Sequence, residues 1–202
     1  MTEEEAKAWI RERYGVSRET QLAAFVDLLR DEAARQNLIA PSTLGQIWSR
    51  HIVDSAQLLA YAPEEGAWLD IGSGAGLPGL VVALLRDAPV ELVEPRKLRT
   101  EFLSHVATLL GLANVTVHTA KIERSAGPAA VISARAVAQL ADLFRMAAHR
   151  STSSTVWLLP KGRNAQSEVE EARRKWHGSF HVEPSITAPD SLIVVAREVR
   201  PR

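Results

Sequence analysis

The feature that most constrains the fold is a pair of short apolar runs, residues 68–71 and 80–85, joined by closely spaced glycines. The first run has the length of a buried strand, and the second is typical of a helix packed on a sheet. Glycines at positions such as Gly72, Gly74 and Gly76 let the backbone take positive φ and approach a ligand closely. The positive end of the helix would face the same ligand, which suits a carboxylate or a phosphate. We therefore expect a strand, a cofactor-binding loop and a helix.

Two kinds of cofactor fit such a loop. The glycines at positions 74, 76 and 79 match the dinucleotide fingerprint, and Glu94 lies where a ribose-binding acid is expected. However, Asp70 stands two residues before Gly72, where a carboxylate would repel a pyrophosphate but attract an ammonium group. S-adenosylmethionine carries an ammonium, a sulfonium and a ribose, and no phosphate. We favour this cofactor over a dinucleotide or an empty glycine turn, with Asp70, Gly72, Gly74 and Glu94 as binding residues.

Length and composition limit the remaining possibilities. A chain of 202 residues with 46% hydrophobic residues can form one α/β domain with a small extension. The absence of cysteine excludes disulfides, thiolate metal sites and a cysteine nucleophile, and we expect no metal site. The acidic start and the lack of a long apolar run predict a cytoplasmic, soluble protein.

Charge is distributed unevenly along the chain. Residues 1–120 hold 11 Lys and Arg against 16 Asp and Glu, whereas the remainder holds 13 against 8. The C-terminal part is therefore the candidate surface for a polyanion such as RNA. An imbalance of this size is equally compatible with chance.

The order of the predicted elements indicates a helical extension, residues 1–62, followed by an α/β core, residues 63–202. In the extension we expect helices over residues 3–13, from a cap at Ser17, and from a cap at Ser42 or Thr43 to about residue 60. In the core, strands alternate with helices and the chain ends in a hairpin, which predicts a mostly parallel seven-stranded sheet. The predicted strands are residues 68–71, 89–94, 115–118, 130–133, 156–159, 178–187 and 192–196, and the predicted helices are residues 80–85, 97–110, 137–149 and 166–176.

The cofactor of an open parallel sheet lies beyond the carboxyl ends of its strands. Glu94 ends the second strand, where it can accept both ribose hydroxyls; the alternative is a surface glutamate beside Arg96 and Lys97. The segments after the third and fourth strands, residues 121–123 and 133–135, should reach the same crevice. Arg135, in the second of them, can bind a carboxylate or a phosphate, or form a structural ion pair with Asp70 or Glu94.

Four basic or imidazole side chains are candidates for contact with a substrate, and the family resemblance described below implies that this substrate is RNA. Arg50 and His51 lie on the helix that ends before the glycine loop, although an ion pair between Arg50 and Asp54 or a simply packed His51 is the plainer interpretation. Lys161 and Arg163 flank a glycine after the fifth strand, where they would either grip phosphates or form a solvated turn.

With these residues in view, the chain resembles the bacterial methyltransferase family that modifies N7 of a guanine in the 530 loop of 16S ribosomal RNA, also called glucose-inhibited division protein B. The resemblance covers residues 36–197 and rests above all on residues 70–79, DIGSGAGLPG. Supporting matches are Asn37-Leu38, residues 50–55 (RHIVDS), Arg135-Ala136 and residues 159–162 (LPKG).

The resemblance implies a class I, Rossmann-like, S-adenosylmethionine-dependent methyltransferase with a helical N-terminal extension. It places Gly72, Leu77, Ile122, Glu123 and Arg135 at cofactor-binding positions. The implied substrate is guanine 527 of 16S ribosomal RNA, offered as naked RNA, as an assembly intermediate or in the 30S subunit. We expect the protein to act as a monomer.

The composition agrees with methylation at N7. The chain lacks the Pro-Pro pair common in enzymes that methylate exocyclic amines, and it lacks the cysteine generally used at carbon 5 of pyrimidines. N7 of guanine has an in-plane lone pair and needs only alignment, so we assign no acid or base catalyst. The alternatives are an NAD-dependent oxidoreductase, although neither Tyr14 nor Tyr61 has a lysine four residues later, and a non-catalytic RNA-binding module.

Overall fold

The computed structural model describes residues 1–202 and contains one seven-stranded sheet. The strands are β1 Trp68–Ile71, β2 Val90–Glu94, β3 Val115–Thr119, β4 Val131–Ala134, β5 Val156–Lys161, β6 Trp176–Pro184 and β7 Leu192–Pro201. Their order is β3-β2-β1-β4-β5-β7-β6. β1 to β5 run parallel, and β7 is antiparallel to both β5 and β6. The predicted mostly parallel sheet with a closing hairpin is confirmed.

The helices flank this sheet. The α-helices are α1 Glu3–Ala33, α2 Asp54–Ala56, α3 Gly79–Leu85, α4 Lys97–Leu109, α5 Leu140–Ala147 and α6 Ala165–Arg173. Short 3-10 helices occupy Pro41–Gln46, Gln57–Tyr61, Ile122–Arg124 and Ala148–Arg150, and a π-helix occupies Trp48–Val53. None of the helices is long and apolar enough to cross a membrane.

The central strands are mainly apolar because both of their faces are covered, and the polar residues Asp70 of β1 and Ser133 of β4 are hydrogen-bonded to each other. Every residue of β1 and β4 is buried. Alternate side chains enter two apolar clusters: Trp68 of β1 faces the cluster under α1, α3 and α4, and Leu69 faces the one under α5 and α6. This double burial is why short apolar runs identified the strands.

Two predicted helix caps are wrong. The break in the N-terminal helix falls at Gly15, whose φ of 84° and ψ of 166° suit glycine, so Ser17 lies inside the helix and does not cap it. Residues 41–61 form consecutive 3-10, π and α turns with no side-chain cap at the start. The Thr43 hydroxyl instead donates to the carbonyl oxygen of Ala40, at 2.8 Å.

The end of the last predicted helix is also wrong, because Trp176 belongs to β6. It pairs with Pro201 of β7, and its ring centroid lies 5.7 Å from that of Phe144 in the core. Tertiary packing therefore overrides a helical pattern that extends too far along the chain.

The N-terminal helices join the main core. Apolar residues of α1 such as Phe25 share one cluster with Ile52 and with residues of α3. The Glu3 carboxylate accepts hydrogen bonds from the backbone N–H groups of Trp48 and Ser49, at 3.0 and 2.8 Å. The extension is thus packed on the α/β core, while a boundary between residues 62 and 63 stays a prediction.

Candidate active site

Two clefts open side by side at the carboxyl ends of the parallel strands. The first, here called the glycine-loop cleft, has a volume of about 430 Å³. It is lined by Leu38, residues 72–75, Leu77, residues 94–96, Arg99 and residues 135–137. Gly72, Gly74, Leu77, Glu94 and Arg135, all predicted cofactor-binding residues, therefore meet in one cleft.

The glycine at position 72 is required by the protein itself. Its φ is +66°, and a Cβ at this position would lie only 2.6 Å from Cγ2 of Val137. Val137 belongs to the segment after β4, so the glycine allows that segment to close over the loop. The close approach brings Arg135 and Ala136 to the edge of the same cleft.

Glu94 occupies the predicted position at the end of β2, but it is buried rather than exposed at the surface. Its Oε2 accepts the Gly74 N–H at 3.1 Å, and its Oε1 accepts the Arg96 N–H at 3.0 Å. The nearest cation is Arg99, at 3.8 Å, and not Lys97. A carboxylate has about four acceptor sites, so each oxygen can still take a further donor from the cleft.

The structure places Asp70 beneath the glycine loop, with no exposed surface. Its carboxylate accepts hydrogen bonds from the Ser133 hydroxyl at 2.7 Å and the Gly79 N–H at 3.2 Å. Burial raises the pKa of Asp70 to about 6, against the opposing effect of these hydrogen bonds. The expected contact between this carboxylate and an ammonium group in the cleft is therefore replaced by an internal role, bracing the loop against β4 and α3.

The first two N–H groups of α3 are bonded within the protein, which corrects the expectation that they face a ligand. The Gly79 N–H is bonded to Asp70, and the Leu80 N–H donates to the carbonyl oxygen of Gly76 at 2.8 Å. Pro78, just before them, has no N–H. The usual seat for a pyrophosphate at a helix N-terminus is thus occupied by the protein's own acceptors.

Arg135 is held by a chain of hydrogen bonds that starts in the N-terminal extension. Its Nη1 donates to Nδ1 of His51 at 3.0 Å, and Nε2 of His51 lies 2.8 Å from the Thr43 hydroxyl. Burial and the positive charges of Arg135 and Arg50 lower the pKa of His51 to about 3. A neutral ring that accepts at Nδ1 carries its proton on Nε2, so it donates to Thr43.

The ion pairs around Arg135 differ from those expected for Arg135 and for Arg50. Its Nη1 lies 3.9 Å from Oδ2 of Asp54, and neither Asp70 nor Glu94 is its partner. Desolvation by burial lowers the pKa of the Arg135 guanidinium. The expected ion pair between Arg50 and Asp54 does not form: Arg50 is exposed, and Asp54 Oδ1 instead accepts hydrogen bonds from Ser185 and Thr187 of the C-terminal hairpin.

The second cleft, here called the β5 cleft, has a volume of about 540 Å³ and lies where β5 and β7 meet the segment after β4. It is lined by Asp54, residues 135–139, residues 160–162, Glu168, Ser191 and Leu192. Residues 135–137 line both clefts. Ala136 at the centre of this shared wall has a φ of 56°, which is uncommon for a residue other than glycine and recurs at functional sites.

Lys161 is not the free phosphate-binding group that its sequence position indicates. Its ammonium donates to the Ala138 carbonyl oxygen at 2.7 Å and to Oε2 of Glu168 at 2.8 Å, and only 11% of its side chain is exposed. Arg163, by contrast, is 83% exposed, with Asp190 at 3.6 Å. The pair therefore divides into an internal cation and a surface cation.

Ile122 and Glu123 lie outside the lining of the glycine-loop cleft. Ile122 is packed in the apolar cluster beneath α5, and Glu123 is exposed on a short 3-10 helix. The lining residues that were not predicted include Leu38, Arg99 and Val137 in the glycine-loop cleft and Asp54 in the β5 cleft. Leu38 and Asp54 fall within motifs that support the family resemblance, whereas nothing in the local pattern identifies Val137.

The structure contains no group of three or more His, Asp or Glu side chains placed to hold a metal ion.

Comparison with known proteins identifies the family. The family model described as rRNA small subunit methyltransferase G, GidB, matches residues 18–190. Ribosomal RNA small subunit methyltransferase G of Zymomonas mobilis is 46% identical over 100% of this chain and 96% of its own. The protein of the same name from Novosphingobium aromaticivorans is 50% identical over 98% of this chain and 89% of its own.

Solved structures show the same fold at low sequence identity. TYW2 of M. jannaschii in complex with AdoMet has a TM-score of 0.58 and 12% identity, covering 75% of this chain and 76% of its own. The structure of protein Atu636 from Agrobacterium tumefaciens, described as a predicted O-methyltransferase, has a TM-score of 0.59 and 20% identity, covering 73% of this chain and 80% of its own. The class I methyltransferase fold is therefore shared well beyond the family.

Proposed function

The chain belongs to the rRNA small subunit methyltransferase G (GidB) family, and on this premise we propose that it transfers a methyl group from S-adenosylmethionine to N7 of a guanine in 16S ribosomal RNA. The acceptor we propose is guanine 527 in the 530 loop. The observation that carries the proposal is the shared wall of residues 135–137, which joins a cofactor-sized cleft to a second cleft large enough for a base.

The residues of the glycine-loop cleft fit S-adenosylmethionine better than a dinucleotide. The Glu94 carboxylate keeps acceptor capacity for the two ribose hydroxyls, and Gly72 and Gly74 allow a close approach. Arg135 lines the same cleft as Glu94, and its guanidinium suits the methionine carboxylate. The Gly79 and Leu80 N–H groups at the start of α3 are bonded within the protein, so they are not free to bind a pyrophosphate.

The remaining chemistry requires positioning alone. S-adenosylmethionine supplies a methyl group on a positively charged sulfur, open to displacement by a nucleophile. N7 of guanine has a lone pair and no proton to remove, so the side chains near the clefts need not act as bases. His51 is neutral with both ring nitrogens engaged, and Lys161 is bound to Glu168. Orientation of the reacting groups can supply roughly 7 to 11 kcal/mol of the barrier.

We further propose that the protein acts as a monomer in the cytoplasm, where ribosomal subunits are assembled. Arg50 and Arg163 are exposed cations near the two clefts and are the candidates for contact with RNA phosphates. The 30S subunit, an assembly intermediate and naked 16S ribosomal RNA are the substrate forms to compare.

Transfer of a labelled methyl group tests the proposal. The protein is incubated with labelled S-adenosylmethionine and each of the three RNA forms, and the modified base is mapped by chain cleavage at 7-methylguanine. We expect label at a single guanine of the 530 loop and none in RNA that carries adenine there. Label at another base, or RNA binding without transfer, would contradict the proposal.

A further inference from the structure

The β5 cleft contains a carboxylate with one oxygen that is not used within the protein. Asp54 Oδ1 accepts hydrogen bonds from Gln57 Nε2 at 3.0 Å, Ser185 Oγ at 3.2 Å and Thr187 Oγ1 at 3.1 Å. Asp54 Oδ2 accepts none, and its nearest cation, Arg135, is 3.9 Å away, which is beyond hydrogen-bond distance. Three donors from one side therefore hold the carboxylate and leave Oδ2 toward the wall that both clefts share.

The other charged groups of this cleft are committed to partners. Lys161 and Glu168 neutralise each other at 2.8 Å, and Arg135 donates to His51. Part of the remaining lining is formed by small or apolar side chains such as Val137 and Pro160. A volume of about 540 Å³ lies within the range typical of small-molecule sites. A flat ring with a polar edge would fit against these walls and meet one free acceptor.

We propose that Asp54 recognises the acceptor guanine through the base's Watson–Crick edge, with Oδ2 accepting hydrogen bonds from the adjacent N1–H and N2 amino donors. This inference rests on the proposed function and names the group that selects its base. Guanine alone among the four RNA bases has two neighbouring donors on that edge. Enzymes that modify a base commonly flip it into a pocket and read this edge by hydrogen bonds.

The same contact would favour the reaction as well as binding. The N7 lone pair forms a bond to the methyl carbon, the carbon–sulfur bond breaks with its electrons moving to sulfur, and no proton is transferred. Positive charge thereby moves from sulfur to the purine ring, which makes N1–H a stronger donor. The hydrogen bond to Asp54 then strengthens as the transition state forms, which accelerates the transfer step.

The test combines Asp54→Asn with a change in the base. RNA carrying inosine at the acceptor position lacks only the N2 amino group, and it is offered in the form that the wild-type protein methylates. Asp54→Asn keeps the side chain's shape but exchanges the free acceptor for a donor. Asp142→Asn, on the outer surface of α5, makes the same chemical change outside both clefts and is the control.

We expect Asp54→Asn to lose about tenfold or more in methyl transfer to guanine, the loss of a hydrogen bond to a charged group, while affinity for S-adenosylhomocysteine is unchanged. Wild type should transfer more slowly to inosine than to guanine. Asp54→Asn should treat the two bases alike, so that the two changes are not additive. Asp142→Asn should match wild type on both RNAs.

Two results would overturn the inference. One is an equal loss on guanine and inosine when Asp54 is changed, which indicates a structural role. The other is wild-type transfer to inosine at the full rate, a measurement that does not depend on whether the variant folds. Absence of wild-type transfer to the guanine would instead contradict the proposed function, so the two failures are distinguishable.

Discussion

The glycine-loop cleft and the β5 cleft share one wall but are assembled from the chain in different ways. Glu94 of the first cleft and Asp70 beneath it come from one β1–α3–β2 unit, and both accept backbone N–H groups. The charged groups of the second come from four separate elements. Lys161 is held by Glu168 and by the backbone carbonyl of Ala138, and Asp54 is held mainly by Ser185 and Thr187 of the C-terminal hairpin. A site whose residues lie close together in the sequence and bind backbone groups can be predicted from residue spacing, whereas a cleft formed by residues far apart in the sequence cannot.

Arg135 lies on the boundary between these regions. It lines both clefts, but its hydrogen-bond acceptor is His51 in the N-terminal extension. The extension therefore reaches the site through a hydrogen-bond chain rather than through a ligand contact of its own. Changes on the two sides of the boundary should have separable effects.

The largest effect is expected in the glycine-loop cleft. Glu94→Ala removes up to two charge-assisted hydrogen bonds to the ribose, each worth about 1.5 to 3 kcal/mol. Calorimetry with S-adenosylhomocysteine should show at least a tenfold loss of affinity. Glu101→Ala, an exposed carboxylate on α4 outside the cleft, should bind like wild type. An unchanged dissociation constant for Glu94→Ala would place the ribose elsewhere.

Arg135→Lys tests the residue that lines both clefts. Lysine cannot reproduce the planar fork of a guanidinium, so methyl transfer should fall about tenfold or more while the melting temperature stays close to wild type. His51→Ala removes the acceptor that orients Arg135 and should cause a smaller loss.

Combining the two changes separates a shared role from two independent ones. If His51 acts through Arg135, the double variant should be no slower than Arg135→Lys alone. An additive loss would give His51 a contact of its own with the RNA. A fall in melting temperature with an active soluble fraction would make Arg135 a structural residue.

The accuracy of the sequence-based expectations follows the same division. The sequence predicts β1 and β4 to within a residue because burial on both faces leaves a mainly apolar run. Glu94 was placed correctly because the carboxyl ends of parallel strands meet at one edge of the sheet. Both features depend on residues that lie close together in the sequence.

The errors arise where the cause lies far along the chain. Lys161 has the composition of a phosphate-binding turn, but Glu168 and Ala138 take up its ammonium group. Asp54 has a basic residue four positions earlier, but its partners come from the C-terminal hairpin. Asp70 was assigned to the ligand because nothing in the sequence shows that Ser133 lies 2.7 Å away.

His51 and Asp70 should contribute to the pH dependence of stability with opposite signs. The pKa of His51 is about 3 in the folded protein against about 6.5 unfolded, so the free energy of unfolding falls as pH decreases from about 6.5 to 3. The pKa of Asp70 is about 6 folded against 3.8 unfolded, so this group's contribution rises as pH decreases from about 6 to 4. Each pKa unit corresponds to about 1.4 kcal/mol.

Urea unfolding at about pH 7.5 and pH 5 measures both contributions. On acidification from about pH 7.5 to pH 5, His51 should lower the free energy of unfolding by about 2 kcal/mol, and Asp70 should raise it by about 1 kcal/mol. His51→Asn should therefore lose less stability than wild type on acidification, and Asp70→Asn should lose more. If both variants showed the wild-type pH dependence, neither group would have the shifted pKa that its burial implies.

The smallest effect is expected at the surface of the β5 side, where it separates Arg163 from Lys161. Arg163 is 83% exposed, so Arg163→Ala should leave stability unchanged and, if the side chain contacts a phosphate, should lower the salt slope of RNA binding by about 0.7 to 0.9. Between about 50 and 200 mM salt this corresponds to about a threefold change in relative affinity. Lys161→Ala is the matched comparison: it leaves Glu168 without its cation, so it should reduce stability by about 1 to 3 kcal/mol and leave the salt slope as it was. The reverse pattern would be a shallower salt slope for Lys161→Ala alone. It would mean that RNA displaces Glu168 from Lys161, so that the Lys161 ammonium binds a phosphate in the complex and the ion pair is not purely structural.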